Sequence, residues 1–430
     1  MDDGRWMTNS RITFHVSPYV LRQFAKPMPA STTIRQFALL MGARSSRAEQ
    51  ARADLSLLSN DDWARVLDAA VSERLAPTIY CHLRDHELLD VLPGVWQVRL
   101  EEAYRVNQAL YIEQASALSQ LADALLREGI PFRLLKGLAV AAQGYSTPTA
   151  RAVGDVDLWV QSRYQVRTEQ LLLRLGLVRD PSPYSTSYLR LYLGEQTFSP
   201  PERPSATLRA VIDLDSHLVK PWWLRETLRV DEGAIFSRPH AVTIAGRSYL
   251  TLDPTDTLHH LCLHAKGGYH VQPWRSLFDI QIFMTRADVD WGRLNASSAE
   301  WGTGAVLWRT FTLIDRACGT RHVDKLAWKP PRWHRRLINS LLSTPRPGTL
   351  NPSLDTGDSR LPIPSFLLLP GVASMLRATL RLIWPSARWL RMRYNLPREG
   401  RFGLFRARIR YMGRLRHLYR LFKPRGDAHP

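Results

Sequence analysis

The chain has 430 residues with an apolar share of 45% and aromatics at 10%, enough to bury more than one core, so two or three structural units are expected. Its three cysteines, Cys81, Cys262 and Cys318, are far apart and show no Cys-x-x-Cys spacing, which supports neither a disulfide framework nor a cysteine zinc site. The net charge of +19 is unevenly placed: from Arg321 onward there are 23 Lys and Arg against 5 Asp and Glu, leaving 35 against 34 in residues 1 to 320.

The start, Met1-Asp2-Asp3-Gly4-Arg5, lacks the charged-then-apolar order of a secretory signal. The longest apolar runs, such as Phe366 to Leu369 before Pro370, fall well short of the ~20 residues that span a bilayer. A cytoplasmic protein is expected, with a peripheral place at the inner membrane surface as the variant that its basic end allows.

Along the chain, residues 1–30 mix Arg, Ser, Pro and aromatics without periodicity and predict a poorly ordered lead-in. Residues 31–128 read as an N-terminal helical region. Asn60-Asp61-Asp62-Trp63 looks like the cap of a helix through Val66, Leu67 and Ala70, and Trp96 to Leu126 carries apolar positions at three-four spacing. Residues 129–252 change texture. Ile130 to Leu135 predicts a buried strand, Leu138 to Tyr145 a helix, Ser146 to Gly154 a polar loop and Asp155 to Val160 a second strand. A helix from Gln165 to Leu175 ends at Gly176, and Leu208 to Val219 is a third strand. The fold class is α+β: a small mixed sheet flanked by N-terminal and C-terminal helical regions. Residues 253–320 form a helical region opened by Asp253-Pro254, 321–362 a Pro- and Arg-rich linker, and 363–430 a basic amphipathic helical tail.

In Asp155-Val156-Asp157 the carboxylates alternate onto one strand face and repel each other unless a cation intervenes. Two hard cations held there suit a triphosphate, an incoming hydroxyl and a leaving pyrophosphate, the two-metal form of nucleotidyl transfer. Asp213, Asp215 and His217 share one face of the third strand, which offers a further carboxylate. Lys136-Gly137, at a strand-to-helix turn, would set backbone N–H groups and an ammonium beside a phosphate, and Arg151 could add a guanidinium clamp. An isolated Asp-x-Asp is usually a solvated strand end. The joint order is what carries weight: strand, Lys-Gly, helix, Arg, Gly-Asp-x-Asp strand, then Asp-x-Asp-x-His strand.

That order resembles the nucleotidyltransferase fold of the DNA polymerase β superfamily. It is most similar to a bacterial nucleotidyltransferase family marked by a Lys-Gly turn, a Tyr, Arg-x-x-Gly-Asp-x-Asp and a later Asp-x-His, here Lys136-Gly137, Tyr145, Arg151 to Asp157 and Asp215-Ser216-His217. The likeness extends from about Asp61 to Asp279, takes in Gly129-Ile130-Pro131, Leu261 to Ala265 and Arg275, and is expected to reach into the tail. It implies a metal-dependent nucleotidyltransferase that uses Mg2+ or Mn2+ and an NTP donor, ATP among the candidates. Asp155, Asp157 and Asp215 would bind metal, with Asp213 a rival third carboxylate, and Lys136, Gly137 and Arg151 would bind the triphosphate. The wider superfamily has a Gly-Ser turn whose hydroxyl meets the phosphate, and Lys136-Gly137 lacks it. The acceptor is open among RNA, a protein or peptide, and a small molecule. The alternative is a catalytically inactive nucleotide- or polyanion-binding module.

His259, His260, His264, His270 and Asp279 form a second cluster, in which His260 and His264 are one turn apart. No His-Glu-x-x-His pattern accompanies them, so a separate metal enzyme ranks lower. His259 and His260 are expected at the surface, and His264 and Asp279 in helix-to-helix hydrogen bonds. In the tail, Arg alternates with Leu, Ile and Trp from Met375 to Tyr394 and from Phe405 to Leu421. The stripe is expected mostly to pack on the body, with the arginines meeting nucleic acid or an anionic membrane.

Overall fold

The computed structural model describes residues 48–182, 184–201, 208–220, 222–265, 273–341, 368–369, 371–396 and 401–421. The expected lead-in, the linker beyond residue 341 and His270 lie outside them. Four helices come first: α1 (Ala48–Ser56), α2 (Asn60–Ser72), α3 (Ala76–Asp85) and α4 (Gly94–Arg127). Ser59, one residue before the expected Asn60, caps α2. Its hydroxyl accepts from the Asp62 N–H while the Asp62 carboxylate accepts from the Ser59 N–H. α4 has 34 residues, or about 51 Å at ~1.5 Å per residue. Its first half packs Trp96, Leu100 and Tyr104 into a helical core, and its second half packs Leu118, Leu121 and Leu125 against the sheet.

The chain then alternates β1 (Phe132–Leu134), α5 (Lys136–Gly144), β2 (Val156–Val160), α6 (Gln165–Arg174), β3 (Val178–Arg179), β4 (Glu195–Ser199), β5 (Ile212–Asp215), β6 (Pro239–Ile244) and β7 (Arg247–Leu252). The strands form one mixed sheet in the order β3-β4-β5-β2-β1-β7-β6. Its centre is β5, β2 and β1, the three segments anticipated as strands, with β2 parallel to β5 and antiparallel to β1. The α+β class is as expected, but the sheet is wider because β4 and the β6–β7 hairpin extend it at both ends. Leu134, Val156, Leu158, Ile212 and Leu214 bury one sheet face against α4 and α5, while Trp159, Leu135 and Phe236 bury part of the other.

Helices α7 (Pro254–Ala265), α8 (Pro273–Arg286), α9 (Trp291–Trp301) and α10 (Gly304–Cys318) pack with the N-terminal helices into the second, helical core. Within the stretch read as a linker, α11 (Arg332–Leu341) is a helix that buries Ile338 in that core. The tail forms α12 (Gly371–Ile383), α13 (Ala387–Arg393) and α14 (Arg401–Leu421). It docks through Trp389, whose ring meets Tyr188 and Tyr192 edge-on, and Arg393, whose guanidinium lies 4.5 Å from the Tyr184 ring centroid. Among the described residues no helix is long and apolar enough to cross a membrane.

Candidate active site

Two strand pairings assemble the site. β1 runs antiparallel to β2 with Leu134 opposite Leu158, so the end of β1 delivers Lys136-Gly137 to the start of β2, where Asp155 and Asp157 stand. The Leu135 N–H donates to the Asp157 carbonyl at 3.0 Å and fastens the turn. β5 then brings Asp213 directly beside Asp157, with Asp215 beside Trp159. By the period of two, Asp157, Asp213 and Asp215 share one sheet face. A Cβ at Gly137 would lie 3.2 Å from Asp157 Oδ2 and 3.3 Å from the Asp155 carbonyl oxygen, so any larger residue would press the carboxylate and that carbonyl back.

Lys136 does not extend toward solvent. Its Nζ sits 2.7 Å from Asp157 Oδ1 and 3.9 Å from Asp215 Oδ2. Burial works against that charge, but Asp157, Asp215 and Glu195 outweigh it and hold the ammonium above its ordinary pKa. Asp215 is fully buried, and Lys220 donates to it and to Glu195 at 2.5 Å each. Asp213 is different: half-buried, it accepts from the Thr197 hydroxyl at 2.6 Å, and burial together with Asp157 pushes its carboxyl up to about 7. Asp155 is raised as well, by burial and then by Asp157. The face therefore divides: Lys220 and Lys136 hold back the rise that burial causes at Asp215, whose carboxyl still reaches about 6, whereas Asp157 adds to the effect of burial at Asp155 and Asp213, a repulsion that a cation would relieve.

Arg151 takes a place that the sequence did not suggest. It is buried, and its guanidinium is committed to Asp279, with Nε donating to Oδ1 at 3.1 Å and Nη2 to Oδ2 at 2.9 Å. Nη1 donates to the Gly137 carbonyl at 3.0 Å, and the Tyr145 hydroxyl donates to Asp279 Oδ1 at 2.6 Å. These bonds turn the expected phosphate clamp into a brace for the Lys-Gly turn. Asn107 of α4 braces the same loop, donating to the Thr149 and Arg151 carbonyls and accepting from the Val153 N–H. Thr78 of α3 donates to the Ala150 carbonyl.

Two further cations flank Asp155. Arg74, at the end of α2, reaches Gly154 so closely that a Cβ there would lie 2.9 Å from its Nη1. Arg275, on the first turn of α8, is held below its ordinary pKa by burial and by Arg151, and it also feels Arg74, Asp279 and Asp155. Glu73 accepts the Trp274 N–H at 3.0 Å, tying the end of α2 to the start of α8. Arg74 and Lys136 have positive φ, 54° and 30°, a conformation that disfavours side chains larger than glycine and collects at functional sites. Sequence gave no sign of Arg74, Lys220 or Glu195, each of which reaches the site by tertiary packing.

The second cluster is not a surface feature. His259 and His260 are both buried, contrary to the expected exposure, because α7 is covered on nearly all sides. The Thr303 hydroxyl lies 2.6 Å from His259 Nε2, the ring stacks on Trp301, and burial lowers its pKa to about 3. Asp279 serves Tyr145 and Arg151. His217, beyond Asp215, has Nδ1 2.9 Å from Glu232 Oε2 and Nε2 3.4 Å from Ser162 Oγ. Among the described residues no three Asp, Glu, His or Cys side chains converge to hold a metal ion by themselves.

The model of a family described as uncharacterised nucleotidyltransferase matches residues 59–319. The chain belongs to that family. No curated protein and no solved structure matches it. The matched span opens at the Ser59 cap of α2 and ends at Gly319, just past α10, so it includes the sheet core, most of the helical core and each site residue from Arg74 to Asp279. The tail helices α12 to α14 lie outside it. Family membership makes this a protein of the nucleotidyltransferase class, and Lys136-Gly137, Asp155, Asp157, Asp213 and Asp215 fall within the matched part.

Proposed function

We propose that the chain transfers a nucleoside monophosphate from an NTP to an acceptor oxygen in a reaction that needs Mg2+ or Mn2+. The observation that carries this reading is the β2–β5 register, which pairs Asp157 with Asp213 next to a Lys-Gly turn and beside Arg74 and Arg275. The donors suit a hard cation. Mg2+ is commonly held by one or two carboxylates together with substrate phosphates, so a set of three converging side chains is not required.

Asp155 and Asp157 would hold the cation, which when bound neutralises charge on the leaving pyrophosphate and acidifies the acceptor hydroxyl. Asp213 is our choice over Asp215 as the third carboxylate, because Asp215 is clasped by Lys220. In the reaction the acceptor oxygen bonds to the α-phosphorus, the bond to the β-phosphate oxygen breaks with its electron pair, and the acceptor proton passes to Asp213. Arg74 and Arg275 steady the β- and γ-phosphates. Lys136 supplies fixed positive charge between Asp157 and Asp215. Arg151 is a positioning residue for Gly137.

The Lys136–Asp157 ion pair also favours a second reading, a silent module that binds nucleotide or polyanion without turnover. Incubation with each labelled NTP and Mg2+ or Mn2+ in cell extract, followed by mass identification of labelled RNA, protein or small molecules, separates the two. Label that disappears in Asp155→Asn and Asp157→Asn supports transfer. NTP binding without label in any acceptor class supports the module.

A further inference from the structure

The tail helices are attached to the body by one side and leave another side uncovered. α12 buries Ala378, α13 buries Trp389 and Leu390, and α14 buries Ala407 and Tyr411. On the outer side of α12, Val372, Leu376, Leu380 and Ile383 fall within an arc of roughly 80° at ~100° per residue, and Trp384 follows them. Phe405, Ile409 and Met412 form the matching stripe on α14 at spacings of four and three. These eight side chains are between 38% and 66% exposed. Arg408 lies 4.2 Å from the Trp384 ring centroid, so the two stripes adjoin. A patch of this kind on a folded chain marks a contact surface.

Its charge selects the partner. From Gly371 to Leu421 the chain carries 13 arginines, no lysine and a single carboxylate, Glu399. Arg377, Arg388 and Arg410 are exposed. A second copy would bring like charge against like. RNA would meet the arginines but has no use for Leu376, Leu380 or Ile409, since its contacts are phosphates and stacked bases. An anionic bilayer uses both, taking aliphatic and indole side chains into the headgroup boundary while arginines reach lipid phosphates. None of the described helices can cross a membrane, so the contact is interfacial.

We propose that the outer faces of α12 and α14 form one lipid-facing surface by which the chain rests on an anionic membrane. This does not depend on nucleotidyl transfer.

The full chain should sediment with vesicles of phosphatidylcholine and phosphatidylglycerol, less as salt rises, and not with phosphatidylcholine alone. Leu376→Glu/Leu380→Glu should weaken vesicle binding about tenfold or more, and Arg377→Gln/Arg388→Gln/Arg410→Gln should weaken it and flatten the salt dependence. The charge variant keeps the apolar face, so it tests the surface even if the first variant folds poorly. Absence of sedimentation with anionic vesicles overturns the proposal. So does salt-dependent RNA binding, without vesicle binding, that the leucine variant leaves intact.

Discussion

The two positively charged regions of this chain treat their charge in opposite ways. In the site, Lys136 faces Asp157, Lys220 bridges Asp215 and Glu195, and Arg151 makes a two-pronged bond to Asp279. In the tail, the sequence from Gly371 to Leu421 holds 13 arginines and one glutamate. Buried cations are expensive unless matched, so the site's charges hold backbone and carboxylates in place. Exposed cations need no internal partner, and the charge of Arg377, Arg388 and Arg410 faces outward, while Arg381 pairs with Glu226 and Arg393 packs on Tyr184.

The largest way to break this contrast is at Asp157, which both opposes Lys136 and faces Asp213. Asp157→Asn should lower the rate of nucleotidyl transfer by about 10²–10³ or more, measured as label transferred per unit time, if charge at that position is catalytic. Next is the Arg151–Asp279 pair. Asp279→Ala leaves a buried guanidinium without its carboxylate and should destabilise the fold by about 3–5 kcal/mol in denaturant titration. Arg151→Met with Asp279→Leu should recover much of that loss in stability while leaving the Lys-Gly turn poorly held and activity low.

A smaller effect comes from His259, a group kept neutral by burial. Its folded pKa, about 3, lies below the value near 6.5 of an unfolded histidine, so its contribution to stability is full above about 6.5 and is lost as pH falls toward 3. The slope from this residue cannot exceed ~1.4 kcal/mol per pH unit. Chemical denaturation across that range should be flatter in His259→Gln, and equal slopes would refute the assignment. The smallest effect is expected in the tail. Arg377→Gln and Arg410→Gln should shift stability by no more than about 0.5 kcal/mol, since these guanidinium groups are exposed. A large loss would mean that they are internal struts, and the contrast would fail.

How much of this was legible depended on whether a signal was local. β1, β2 and β5 stood out because Gly and Pro bound apolar runs, and the Gly-Asp-x-Asp and Asp-x-Asp repeats marked a face. β4 escaped notice because Glu195-Gln196-Thr197 reads as polar, yet Gln196 is buried, donating to Glu169. The β6–β7 hairpin turns through Ala245-Gly246 with φ of 48° and 80°, a geometry usually announced by Asn-Gly. Alternation put Asp213 and Asp215 on one face, but the contrast between them comes from Lys220 and Thr197. His259 and His260 were misplaced because periodicity cannot tell a helix covered on one side from one covered all round. Arg151 looked like a free clamp because Asp279, 128 residues away, is invisible to local spacing.

One consequence follows from α4. The helix contributes to both hydrophobic cores, and between those contributions Asn107 holds the loop that leads into Asp155. A boundary drawn at residue 128 would look natural in the sequence, where the helical texture stops. A fragment starting there would lose Leu118, Leu121 and Leu125 from beneath the sheet and the clasp on the loop as well. The helical N-terminal part is in this sense a splint, and the smallest dissectable catalytic piece has to begin ahead of it.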